Sequence, residues 1–119
     1  MAAPNIVNVT SIIGSLAVQL VGTSPTAIVT NSASSNKVYK VNILNISNVD
    51  AVNSATITVD VFRSSVAYRI AANIAVPINT SFTPLDKTTT IYLEEGDSLR
   101  LTANVASRLE ATCSYEVIN

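Results

Sequence analysis

Apolar and polar residues alternate with a period of two almost everywhere the pattern can be measured, and that rhythm leaves few folds open. In "SATITVDVFR" the residues Ala55, Ile57, Val59 and Val61 fall on one side, with Thr56, Thr58 and Asp60 on the other. "VAYRI" places Val66, Tyr68 and Ile70 inward and Arg69 outward. "SLRLTANV" sets Leu99, Leu101, Ala103 and Val105 against Ser98, Arg100, Thr102 and Asn104. "EATCSYEV" sets Ala111, Cys113, Tyr115 and Val117 against Glu110, Thr112, Ser114 and Glu116. Successive side chains of a strand leave opposite faces, so this is the pattern of half-buried antiparallel strands. Enrichment in Val, Ile and Thr points the same way. No stretch combines helical spacing with start and stop signals, so no substantial helix is expected.

The 119 residues form one domain, 1–119, with room for a single two-layer core. Roughly eight to ten short strands, with turn clusters such as "NSASSN", "NVDAVNS" and "TPLDK" between them, predict an all-β antiparallel sandwich of jelly-roll type. A closed barrel is the alternative. "VYKVNILNISN" slips phase: Tyr39, Val41 and Ile43 keep step, then Leu44 and Ile46 take the other face. A β-bulge near Ile43 and Leu44, or a strand covered on both sides, accounts for the slip. The first 13 residues carry Ile6, Val7, Val9, Ile12 and Ile13 ahead of the first glycine. They read either as an edge strand of the domain or as an arm that contacts a neighbouring subunit, and these five residues are the candidate interface.

Charged residues make up 13% of the chain, against about 25% in an ordinary soluble domain. Ser, Thr and Asn fill the deficit, and a surface of that kind suits burial against neighbours. The net charge is −1 and the Lys and Arg are scattered, so no basic stripe stands ready to neutralise phosphates and nucleic-acid binding is not expected. No apolar run approaches the roughly 18 residues of a membrane helix, and no membrane partner is expected. The start, "MAAPNIVNVTSII", lacks the cationic region of a secretory signal. Cys113 stands alone, where an oxidising compartment favours paired cysteines in a domain this small. Synthesis and assembly in a cytosol are the expectation.

Catalytic chemistry is hard to find. The chain has no histidine, which removes the commonest general base and the commonest transition-metal ligand. Cys113 points inward and reads as a small hydrophobe. No glycine-rich loop cradles a phosphate. The acidic corner "YLEEGDSLRL" remains. Glu94, Glu95 and Asp97 are oxygen-ligand candidates for Ca²⁺, although the spacing matches no known calcium loop. The competing reading is the turn of a hairpin from "TTIYL" to "SLRLTANV", with Gly96 supplying a positive φ. That reading is preferred: no enzyme, no resident metal and no cofactor is expected. Sugar binding by a β-sandwich needs exposed aromatic platforms, and here Tyr39, Tyr68 and Tyr115 follow inward phases while Tyr92 and Phe82 are left as rim positions. On the same phases, Arg100→Thr is expected to be nearly neutral and Leu101→Asp to prevent folding.

The ordered segments "YKVNILNISNVD", "SATITVDVFR", "YRIAANIAVPINT", "PLDKTTTIYLEEGDSLRL" and "LEATCSYEVI" resemble small virion structural proteins of tailed bacteriophages, those of marine and cyanobacterial hosts in particular. The resemblance spans Tyr39 to Ile118 and brings no catalytic residues with it. It implies a β-sandwich subunit of the particle, assembled in the host cytoplasm and resident in the virion. A capsid decoration (cement) protein bound to the major capsid protein is the foremost expectation, as a homo-oligomer with a trimer favoured. A tail, connector or fibre-associated part, or a host-glycan-binding module, is the alternative.

Overall fold

The computed structural model describes residues 4–119, and the first three residues of the candidate arm lie outside them. The chain rises into β1 (Ile12–Leu20), β2 (Thr26–Thr30), β3 (Val38–Asn48), β4 (Ala55–Arg63) and β5 (Val66–Val76). It then returns through β6 (Ser81–Leu85), β7 (Ile91–Leu93), β8 (Ser98–Ala103) and β9 (Leu109–Ile118). No helix occurs among the described residues. One sheet runs β1-β9-β3-β6, with β7 continuing the β6 edge of β3; the other runs β2-β8-β4-β5, and every pairing is antiparallel. The pairings are nested: β1 with β9, β2 with β8, β3 with β7 and β6, β4 with β5. A single long hairpin has been rolled so that β9 meets β3 and β8 meets β4. That connectivity is the jelly roll, and the two separate sheets replace the barrel alternative.

Between the sheets lies one continuous apolar layer, including Val41, Leu44, Ile46, Ile57, Val59, Leu93, Leu99, Leu101, Leu109 and Cys113, all fully buried. The phase slip of β3 is a bulge: Val41 faces Tyr115 and Ile43 faces Ser114, so two residues oppose one and Leu44 returns to the core. Burial without a charged neighbour raises the Cys113 thiol to about 12. Two buried asparagines tie the ends of the sandwich. Asn31 Nδ2 donates to the Lys37 and Leu93 carbonyls at 2.9 and 3.0 Å. Asn48 Nδ2 donates to the Asn53 and Val76 carbonyls at 3.1 and 2.9 Å. Each amide satisfies one loop carbonyl and the carbonyl of a strand's last residue.

Three sequence expectations are corrected here. Val66, Tyr68 and Ile70 are exposed, and β5, which carries them, is the outer strand of its sheet. Asp60 follows the outward phase but is buried: Arg100 Nε donates to its Oδ1 at 2.9 Å while the guanidinium stacks 3.9 Å above the Phe62 ring. Finally, the acidic corner is not a hairpin turn. β7 belongs to the five-stranded sheet and β8 to the four-stranded one, so the corner carries the chain across the gap between them.

Candidate functional site

At the crossover, Glu94 N–H donates to Asp97 Oδ2 at 2.8 Å and Asp97 N–H returns to the Glu94 carbonyl at 3.0 Å. Gly96 adopts φ +87° at the tip, and its N–H donates to the Asn31 carbonyl. Asp97 is 1% exposed. Its carboxylate receives Arg63 Nε at 2.7 Å on Oδ1 and Arg63 Nη2 on Oδ2, a bidentate ion pair. The Arg63 side chain, the Glu94 N–H and the Arg63 charge together hold the Asp97 carboxyl below its usual range, and the same pair raises the guanidinium further. Glu94 Oε2 also accepts from Arg63, at 3.0 Å, and Glu95 Oε2 turns away to accept the Asn36 N–H at 2.9 Å.

The three carboxylates therefore do not converge. A guanidinium occupies the place a cation would need, and Glu95 is bound to another loop. Among the described residues no group of three or more acidic, Cys or His side chains is placed to hold a metal ion. The geometry makes the corner a brace: Arg63 ends β4 and Asp97 leads into β8, neighbouring strands of the four-stranded sheet, and Glu94, which follows β7 of the other sheet, is tied to both residues.

Among the described residues, two exposed apolar surfaces stand out. The first is β1. Ile12, Leu16, Val18 and Leu20 all project outward, with Leu16 65% and Val18 70% exposed, while the inward side carries Ser15, Ala17 and Gln19. Of the candidate interface residues, Ile12 and Ile13 open this strand and are exposed. Ile6 and Val7 lie exposed in the turn before it, and Val9 is half-buried there. Ile12 and Ile13 thus belong to an edge strand of the domain, and Ile6, Val7 and Val9 precede it. The second surface is a groove of about 400 Å³ beside β5, lined by Val61, Arg63, Tyr68, Ile70, Ile91 and Tyr92. Tyr68 is 59% and Tyr92 46% exposed, so two tyrosines share one groove. By contrast Tyr39 and Tyr115 stack on each other at 5.6 Å, and Phe82 packs on the core.

Sequence reasoning missed the Arg63–Asp97 and Arg100–Asp60 pairs, because partners 34 and 40 positions apart leave no local pattern. It also missed Tyr68, whose phase is inward as read but whose strand is an edge. No protein-family model matches the chain, and no curated protein matches it in sequence.

Proposed function

We propose that the protein is a structural component of a bacteriophage virion, a capsid decoration (cement) protein that binds the major capsid protein as a homo-oligomer and stabilises the shell. The observation that carries this reading is the apolar, uncharged outward face of β1 on a sandwich whose acidic corner is committed to an internal brace. Such a molecule offers contact surface, and the carboxylates of its corner are each already bonded within the fold. Jelly rolls serve viral capsid and lectin domains alike, and a fold does not name a task. The sequence resemblance over Tyr39–Ile118 is what adds the particle. Burial at about 25 cal/mol per Å² is largely offset by association entropy, and many copies on one lattice restore the strength by avidity.

The test is purification of the particles. The protein is expected in stoichiometric amount, and particles lacking it are expected to lose stability to heat and dilution. Its absence from washed particles overturns the reading, and a low-resolution map separates a capsid position from a tail, connector or fibre one. A host-glycan-binding module is the second reading, favoured by Tyr68 and Tyr92 lining one groove. There a glycan array should give hits that Tyr68→Ala and Tyr92→Ala abolish, and an array without hits removes it.

A further inference from the structure

The free edge of β1 has a definite hydrogen-bonding parity. Ser11 and Asn119 exchange both backbone bonds, at 2.9 and 3.1 Å, and ten residues on Val21 N–H donates to the Leu109 carbonyl at 2.8 Å. Register is unbroken from Ile12 opposite Ile118 to Leu20 opposite Glu110. Because bonded and non-bonded pairs alternate in an antiparallel ladder, the odd residues turn their N–H and C=O toward β9. The even ones, Ile12, Gly14, Leu16, Val18 and Leu20, turn theirs toward the open edge. These residues also carry the exposed apolar side chains. The edge therefore offers unpaired backbone groups and uncovered hydrophobic surface in one row.

The other edges of the two sheets carry features that discourage pairing. β6 is five residues long, contains Pro84 and is out of register at one point; β2 is equally short and also bulged. β5 has two register shifts, a left-handed Asn73 at φ 51° and Arg69. β1 runs nine residues as "IIGSLAVQL" with no charge, no proline and no bulge.

We propose that β1 pairs with β1 of a second copy of this chain, antiparallel about a two-fold axis at Leu16, joining two five-stranded sheets into one. In that register Leu16 faces its own mate, Ile12 faces Leu20 and Gly14 faces Val18. Every facing pair comes from the even set, so each exchanges two backbone hydrogen bonds and the apolar stripe continues across the axis. Charge selects this arrangement over stacking face to face. Glu110 and Glu116 of β9 lie opposite Leu20 and Gly14 and share the outward face. Stacking would bury these carboxylates together, whereas edge pairing leaves them in water. A two-fold contact of one strand with itself is isologous and closes at two copies, where capsid symmetry alone leads to the expectation of a trimer. This inference rests on the strand and not on the particle, so it stands or falls separately from the proposed function.

Sedimentation equilibrium of the full chain across micromolar concentrations tests it. Wild type is expected to be a dimer. Leu16→Lys, which places two ammonium groups across the axis, is expected to weaken the dimer at least about 100-fold. Val52→Lys, at an exposed apolar site away from β1, is expected to leave it unchanged. An unaltered circular dichroism spectrum shows that Leu16→Lys still folds. Mild oxidation of Leu16→Cys is expected to give a covalent dimer, since facing bonded pairs stand about 5.5 Å apart between Cα atoms; Ser15→Cys is expected to give none. A wild-type monomer throughout, an oligomer that survives Leu16→Lys, or failure of Leu16→Cys to cross-link each overturns the proposal.

Discussion

Arg63 and Arg100 do at the level of single residues what charged side chains rarely do in so charge-poor a chain: each covers a carboxylate that the fold has buried. Asp97 is held below its usual range chiefly by hydrogen bonds from Arg63. A carboxylate whose folded pKa is lowered stabilises the fold above its unfolded value of about 3.9 and loses that contribution as pH falls through the folded value. Arg63→Met is therefore expected to cost about 2 kcal/mol at neutral pH. The gap to wild type should narrow as melting is followed below about pH 4. Arg100→Thr, nearly neutral on strand phase alone, is now expected to cost about 2 kcal/mol in urea unfolding, because it leaves the Asp60 carboxylate without its donor.

Among the elements, the β4–β5 hairpin and the β7–β8 crossover show how turns set the architecture. Arg63 faces Val66, so Ser64 and Ser65 form a two-residue loop, both left-handed at φ 51° and 63°. That is the geometry of a type I′ turn, which Asn-Gly fills at least cost. The double change Ser64→Asn, Ser65→Gly is expected to stabilise the protein by about 1 kcal/mol, read as a raised denaturation midpoint. At the crossover, a Cβ on Gly96 meets nothing within 4 Å, so the barrier to substitution is its φ of +87°. Gly96→Val is expected to lower stability by about 1–3 kcal/mol, with Gly96→Ala at the lower end, by the same measurement.

Over the whole molecule, the nested strand order makes the core one cooperative layer to which both sheets contribute. Cys113 lies within it, its thiol raised to about 12 by burial. Thiol-specific labelling is expected to be slow in native buffer and to accelerate only across the unfolding transition, so its rate reports global opening. Fast labelling of the native protein would show that β9 opens locally. The same layer explains why Leu101→Asp or Val59→Asp should yield no folded protein: both positions are fully buried, with no partner for a charge.

For β4, β8 and β9 strand identity was legible in the alternation, whereas β6 was not: "TPLDK" reads as a turn, but Thr83, Pro84 and Leu85 end that strand. Ile57, Val59, Leu99, Leu101, Ala111 and Cys113 are inward as their phase requires, and even the bulge in β3 was written in its slip. A two-residue period is a local consequence of the pleat, so neighbouring residues suffice to reveal it. Which strand became an edge, which sheet β7 and β8 each joined, and which carboxylate met which arginine depended on how the long hairpin rolled. Those outcomes are contacts between distant positions. They decided that Tyr68 would be exposed, that Asp60 and Asp97 would be covered, and that the face of β1 would be left open.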